Sequence, residues 1–598
     1  MRNAEIAAAF RELGTLYELD GANRFRVLAY RDAARAIADS PAPVGEMAQE
    51  GRATELQGIG DTIQEKIVAL LEQGEIPAAV KLKQKLPATL VDITRIPGVG
   101  AKTVRRIYDE TGIATTAELR AAAEAGELRD LRGLGAKFEE NVIAGLDRMA
   151  DEGTEERRLL SDVREVGNEL VAALTESDAA EKVVLAGSAR RWTDTCKDID
   201  IVATATDPLA LARELAEHPL IDESGNPSEN GLRARTHNGI ALDLRIVPPA
   251  EFGNLLQHFT GSKEHNVKLR ERAVKMGLSV SEHGIADTES GEVTRCEDET
   301  GVYERLGLAY VEPELREGRD EIKLAASGEL PELVTAADIR GDLHCHTTLS
   351  DGKNTLEEMA EAARGRGYSY LAITDHSATH GFGDDVQADA LLERVEEIAA
   401  FNAEHGTRRF RLLAGSEVNI LPDGSLDYDD DVLDRLDWVV ASVHTSFRIS
   451  KRQMTDRVVE AVRNPQVDCL GHPTGRMLLR REPYDIDIEA VVAAAAEAGT
   501  MIEINGNPNR RDLNDHHARL AAEAGVPIVC NTDAHRTSTL RFIEYSVATA
   551  RRAGLSAAQV ANTRTWAQLR KLRPQSPAPG LNRSGRRRRG ANPASGSA

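Results

Sequence analysis

Through the first 80 residues, apolar side chains recur every three or four positions in IAAAFRELGTLYEL and FRVLAYRDAARAIAD, the period of helices that turn one face to a core. The same period follows three glycine-bearing stretches. LQGIGDTIQEKIVALL, ITRIPGVGAKTVRRIYDE and RDLRGLGAKFEENVIAGL each set an apolar residue before GxG and a helix after it. Glycines there permit a tight turn between two helices, and they leave the amides of the turn and of the next helix's start open to a phosphate. A single GxG is common in helical hairpins. Three in succession with one apolar frame point to nucleic acid, with Gly58, Gly60, Gly98, Gly100, Gly133 and Gly135 as the expected contacts.

The period then changes to two. In EKVVLAGSARRWTDTCKDIDIV an apolar strand ends at Gly187-Ser188, a polar excursion follows, and a second strand alternates Asp198 and Asp200 with Ile199 and Ile201. Residues i and i+2 of a strand share a face, so both carboxylates point one way while the isoleucines enter a core. Two such carboxylates repel unless cations join them, which suggests a divalent metal pair bridging substrate phosphates. ALDLRIV supplies a third carboxylate, Asp243, with the same alternation. Gly187 and Ser188 at the strand-to-helix turn suit a terminal phosphate, with Arg190 and Arg191 as cationic helpers.

From residue 339 short apolar strands alternate with helical stretches: the strand before Asp342, then YLAITDH, RLLAGSEV, WVVASVH, VDCLGH, GTMIEING and PIVCNTDAH. Seven such strands predict a (β/α) barrel, whose active site lies where the strands end. Those ends collect His344, His346, Asp351, His376, Glu417, His444, His472, Asp533 and His535. Nine donors at one barrel mouth imply more than one ion, and imidazoles favour zinc, manganese or iron over magnesium alone.

Composition bounds the picture. At 598 residues the chain exceeds one core, since domains run to roughly 100–200 residues. With 41% hydrophobic and 29% charged residues it has a globular balance. No apolar run approaches about 18 residues, and MRNAEIAAAFRELG lacks the features of a signal peptide, so a cytoplasmic protein without membrane contact is expected. Cys196, Cys296, Cys345, Cys469 and Cys530 form no CxxC pair, which argues against a disulfide framework and a zinc ribbon and predicts buried small residues. The net charge is -23, and residues 1–335 hold 61 acidic against 41 basic side chains. Nucleic acid must therefore be met there by local cations, bound metals or backbone amides. The last stretch, RPQSPAPGLNRSGRRRRGANPASGSA, reads as a disordered basic tail.

Gly187-Ser188 with Arg190-Arg191, the DID pair, LDLRIV and HFTGSKEHN at 258–266 resemble the nucleotidyltransferase palm and thumb of X-family DNA polymerases, over residues 1 to about 315. The resemblance implies nucleotidyl transfer with two magnesium or manganese ions. Asp198 and Asp200 would hold both ions and Asp243 would complete the site at the primer 3'-hydroxyl. It also implies that Gly187, Ser188 and Arg191 bind the incoming triphosphate, and that His258, Phe259, Gly261 and Asn266 form the nucleotide pocket. His258 stands where familiar members have tyrosine, which leaves sugar discrimination open. Lys66 falls at the place of the Schiff-base lysine of lyase-active members, although a second lysine often present in that turn is Thr62 here.

DLHCH, SDG, TDH, the lone glutamate, GHP and DAH, across roughly 338–570, are similar to the polymerase and histidinol phosphatase (PHP) family. That resemblance implies the nine donors hold a cluster of three zinc or manganese ions that hydrolyses phosphoesters.

The expected organisation is multidomain. An α-helical helix-hairpin-helix region comprises a lyase-like domain (1–80) and a fingers-like domain (81–150). An α/β nucleotidyltransferase palm (151–248) and thumb (249–318), a linker (319–337), a C-terminal (β/α)7 barrel-like PHP domain (338–572) and the tail (573–598) follow. The expected function is a monomeric gap-filling DNA polymerase of base-excision repair. It takes gapped or nicked DNA and dNTPs, with a barrel acting on 3' ends as 3'-5' exonuclease, 3'-phosphatase or abasic-site endonuclease. The alternative is mainly a DNA-processing nuclease or phosphatase whose polymerase half only binds DNA.

Overall fold

The helical period of the first residues folds as α1 (Asn3–Leu19) and α2 (Arg24–Asp39), which bury Ile6, Phe10 and Leu13 against Tyr30, Ala33 and Ile37 in a computed structural model of the chain. The structure describes residues 1–573 except 97, 132, 152–156, 382–384 and 408; the basic tail, Arg573 apart, lies outside these. The chain forms two compact units. Met1–Arg158, Asp162–Leu185 and Lys197–Pro249 make the first; Leu159–Ser161, Ala186–Cys196 and residues from Ala250 onward make the second.

In the first unit, α3 (Asp61–Gln73), α4 (Ala101–Thr111) and α5 (Ala136–Asp151) each start directly after the second glycine of a GxG. The first glycines adopt left-handed backbone, φ 94° at Gly58, 86° at Gly98 and 80° at Gly133, where a Cβ would be strained. One apolar cluster runs from Ile6 to Leu146 and joins helices on both sides of residue 80. The period-two region forms a mixed sheet of β1 (Ala180–Leu185), β2 (Asp198–Ala205), β3 (Ile221–Ser224), β4 (Gly231–Thr236) and β5 (Ala241–Ile246), in the order β1-β2-β5-β4-β3. Only β2 and β5 pair in parallel, with Asp200 opposite Asp243.

In the second unit, the one-turn helix α6 (Gly187–Arg190) precedes a small domain built on α7 (Phe252–Thr260) and α8 (Lys263–Lys275). Leu269, Ile285, Val302 and Tyr303 form its core. The segment expected as a linker carries α9 (Glu321–Ser327) and is fastened to the barrel, Asp320 pairing with Arg519 at 2.9 Å.

The barrel has seven parallel strands in chain order: β6 (Gly341–Asp342), β7 (Tyr370–Ile373), β8 (Arg411–Asn419), β9 (Trp438–Ser442), β10 (Cys469–Leu470), β11 (Met501–Asn505) and β12 (Ile528–Asn531). A bridge from Cys345 to Ala534 brings its ends together, so the sheet is nearly closed. Alternate strand residues, Leu343, Tyr370, Leu413, Trp438, Met501 and Val529 among them, pack as one cluster with Trp566 and Leu569. The other set packs on the helices. All five cysteines are buried and unbridged.

Candidate metal centres and nucleotide pocket

Alternation along β8 and β11 carries the apolar series of Leu413 and Met501 on to Glu417 and Glu503 near the strands' C-terminal ends. There Glu417 meets five imidazoles. His376 Nδ1 lies 2.9 Å from Oε2 and His344 Nε2 3.3 Å; His472 Nε2 is 2.8 Å from Oε1 and His444 Nε2 3.2 Å; His346 Nε2 is 3.7 Å from Oε2. Asp533 Oδ1 approaches His346 Nε2 at 3.3 Å and His344 Nε2 at 3.9 Å. Asp351 reaches His535 Nε2 at 3.1 Å and His376 Nε2 at 3.6 Å. All nine residues named from the sequence meet here.

Among the described residues, three groups bring their donor atoms within 4.8 Å of one another, and all three are in this cluster. They are His346, Asp351, His376 and His535; His344, His346 and Asp533; and His376, Glu417 and His444. His346 is fully buried, yet neither of its ring nitrogens makes a well-aligned hydrogen bond. A buried polar atom left so is costly, and nitrogens aimed among carboxylates suit divalent cations. Burial, with His535 and His376 beside it, pulls His346 down to about 4, which leaves its ring neutral with a lone pair to give. Burial would raise Glu417, but His344, His444 and His376 hold it well below the usual carboxylate range. Backbone strain accompanies the cluster, with φ of 26° at His472 and 54° at Asp533.

The sequence reading missed the groups that orient these ligands. His344 donates from Nδ1 to Glu503 Oε1 at 2.7 Å, which fixes the tautomer and turns Nε2 to Glu417. Glu503 is fully buried and also accepts from the His472 amide at 2.8 Å and Asn531 Nδ2 at 3.0 Å. Asp342, fully buried, accepts from Thr532 Oγ1 and from the His344 amide. Burial raises it to about 6. Glu503 gave the same signal that singled out Glu417, a lone carboxylate inside an apolar strand.

In the first unit, Asp198, Asp200 and Asp243 stand on one sheet face, while Ile199, Ile201, Leu242 and Leu244 are buried. Burial raises Asp198 from its ordinary value; Lys197 opposes this and the Asp243 charge adds to it. Arg245 holds Asp243 at 2.9 Å, with Arg233 at 3.6 Å. This triad is not gathered to ligand distance as the barrel donors are. Three carboxylates across a parallel pair nevertheless form an all-oxygen set suited to magnesium or manganese.

In the second unit, Gly187 and Ser188 begin α6. Arg190 bonds Thr260 Oγ1 at 2.7 Å and Glu299 at 2.6 Å. Arg191 bonds Glu317 at 3.1 Å and the Thr260 carbonyl, and its Nη1 would lie 3.3 Å from a Cβ at Gly261. Gly261 thus gives the guanidinium its room. Asn266 ties α8 to the end of α7, donating to the His258 carbonyl and accepting from Gln257, both at 2.8 Å. His258 lies beside Phe259, ring centroids 5.9 Å apart, and burial lowers its pKa.

At the hairpins, a Cβ at Gly60, Gly98, Gly100, Gly133 or Gly135 would meet nothing within 4 Å. The second glycines are therefore not demanded by packing, and at Gly60 and Gly100 not by a left-handed φ either; what they leave is bare backbone at a helix start. Lys66 lies half-buried on α3, its ammonium 3.5 Å from the Thr62 carbonyl.

Four family models match the chain. They are a helix-hairpin-helix domain over residues 1–76, a SAM-like helix-hairpin-helix tandem over 90–148, a DNA polymerase beta thumb over 255–317 and a PHP domain over 342–507. The DNA polymerase/3'-5' exonuclease PolX of Bacillus subtilis (strain 168) is 35% identical over 568 residues, which cover 94% of this chain and 98% of that protein. DNA polymerase lambda of Rattus norvegicus is 26% identical over 344 residues, 53% of this chain and 56% of its own. A probable phosphatase of Thermoanaerobacter sp. (strain X514) is 32% identical over 241 residues, 37% of this chain and 89% of its own.

Proposed function

Because the chain belongs to the family of the Bacillus subtilis DNA polymerase/3'-5' exonuclease PolX, we propose that it fills short gaps in DNA during repair and clears 3' ends by metal-dependent phosphoester hydrolysis. Two donor sets of different chemistry carry the reading: an oxygen triad in register across β2 and β5, and an imidazole-rich cluster around Glu417. Both activities require divalent metal ions. Asp198, Asp200 and Asp243 would hold two magnesium or manganese ions and the nine barrel donors three zinc or manganese ions, which when bound would supply charge that favours deprotonation of a hydroxyl or water and offsets that of the phosphates.

Asp198 and Asp200 hold the ions and Asp243 faces the primer end. Gly187, Ser188 and Arg191 take the triphosphate, Arg191 exchanging Glu317 for phosphate oxygens. His258, Phe259, Gly261 and Asn266 line the nucleotide's sugar and base. Gly58, Gly60, Gly98, Gly100, Gly133 and Gly135 admit DNA phosphates to backbone amides, which an acidic first half requires. In the barrel the nine donors fix the ions, and Glu503 keeps His344 in the ligating tautomer. Of the three 3'-end reactions, the name of the Bacillus relative favours 3'-5' exonuclease. The monomer works on gapped or nicked DNA in the cytoplasm. No helix among the described residues is long and apolar enough to cross a membrane.

A one-nucleotide gap whose primer ends in a 3'-phosphate tests the pairing of activities. With Mn²⁺ and dNTPs, the wild-type protein is expected to free the end and then extend it. Glu417→Gln is expected to leave the phosphate in place, yet to extend a primer that already ends in hydroxyl. Extension of the blocked primer by Glu417→Gln would remove the barrel from the reading.

A further inference from the structure

Residues 187–196 form a strap that ends two positions before Asp198 in the chain and belongs to the same compact unit as the barrel. Its far end is seated on barrel loops and on the helix Ile543–Arg552. Arg511 is fully buried, and its Nη1 donates to the Trp192 and Thr193 carbonyls at 2.9 and 2.8 Å and stands 3.4 Å from Asp194 Oδ1. Its other donors, Nε and Nη2, meet Thr549 Oγ1 at 3.2 and 2.8 Å. Arg476 binds the second oxygen of Asp194 at 2.9 Å and donates to the Arg511 carbonyl. Trp192 stands edge-on to Tyr545, ring centroids 5.5 Å apart. Arg552 donates to the Arg191 carbonyl and to Glu317, both at 2.8 Å, and Glu317 in turn holds the Arg191 guanidinium.

Several features mark this as a built seat. A buried guanidinium is expensive unless its donors are taken, and here the strap takes about half of them. Burial draws Arg511 down to about 10 against the pull of Asp194. Both sides of the contact hold strained backbone, φ 55° at Trp192 and 47° at Arg511. The strap also carries Ser188 and Arg191, so whatever fixes its far end fixes where those two groups present themselves.

We propose that the barrel serves the polymerase reaction directly: Arg511, Arg476 and Arg552 hold the 187–196 strap through Asp194, the Trp192 and Thr193 carbonyls and Glu317, and thereby set the affinity for the incoming deoxynucleoside triphosphate. Asp194 and Arg511 are positioning residues, acting through Ser188 and Arg191. The proposal rests on the reading of those two as triphosphate ligands.

The test alters the strap from its own side, because Arg510, next to Arg511, stands 3.6 Å from Asp533 of the metal cluster. In the full-length protein, assayed by single-nucleotide gap filling, Asp194→Ala is expected to raise KM for dNTP about tenfold, the size of a lost hydrogen bond to a charged group, and Trp192→Ala, which removes the ring contact with Tyr545, about fivefold, with kcat changed far less in both. Asp194→Glu is expected to recover most of the loss. Hydrolysis of a 3'-phosphate and bound metal should stay at wild-type levels in all three, which shows an intact barrel. If KM is unmoved in both strap variants while Ser188→Ala raises it, the proposal is wrong and the triphosphate reading stands. If Ser188→Ala also leaves KM unmoved, that reading falls and the proposal with it. Equal losses of kcat, hydrolysis and metal would mean general unfolding and would likewise overturn a positioning role.

Discussion

Asp200→Ala is expected to reduce gap filling about a thousandfold or more while hydrolysis in the barrel continues. Asp200 sits opposite Asp243 in the parallel β2–β5 pair and shares its face with Asp198, so its removal takes away the middle carboxylate of the triad. Two cations and a triphosphate would then gather on two carboxylates, one of them already held by Arg245. Metal-based charge stabilisation amounts to several kcal/mol, and about 1.4 kcal/mol corresponds to a decade in rate, which gives the thousandfold figure. The fold should tolerate the change, because the flanking Ile199 and Ile201 are the buried side chains of that strand end. Single-turnover extension of a labelled primer, beside a thermal melt, measures both. More than a tenth of wild-type rate in a well-folded variant would remove Asp200 from the reaction.

Glu417→Gln should have a comparable effect on the other activity. No other carboxylate in the cluster is approached by five imidazoles, and the substitution keeps its shape while removing its charge. Without that charge, cations in the cluster lose a central anionic ligand, and the amide nitrogen repels the same imidazoles if they protonate. Hydrolysis of 3' ends is expected to fall about a thousandfold on the same arithmetic. Zinc and manganese bound to the purified protein, measured by plasma mass spectrometry, should fall with it, while gap filling from a 3'-hydroxyl persists. Unchanged metal content with unchanged hydrolysis would place the chemistry elsewhere.

Much of this architecture was legible because its signals are local. A period of 3.6 followed by glycine marks helix starts, and all seven barrel strands fall on the apolar runs that predict them, with the nine donors at their ends. Asp198, Asp200 and Asp243 share a face because strand alternation fixes it. What escaped depends on contacts between distant parts of the chain. Glu503 stands out in its apolar strand as Glu417 does, but that it orients a ligand shows only where His344, far away in sequence, donates to it. Arg190 and Arg191 read as free cations beside a phosphate turn, yet Glu299 and Glu317, more than a hundred residues later, already hold them. Period alone could not show that Arg511 would be buried against residues 192–194, or that the expected linker would be pinned by Arg519. Nor could it show one core running across residue 80.

One chain is expected to carry two separate metal-dependent reactions on DNA 3' ends. The most direct test incubates the protein in Mn²⁺ with a 5'-labelled primer on one-nucleotide-gapped DNA, with and without dNTPs, and reads primer length on a gel. The expected result is extension by one nucleotide when dNTPs are present and shortening when they are absent. Shortening in both conditions, with no extension at any dNTP concentration, would contradict the account and leave a nuclease whose first half only binds DNA.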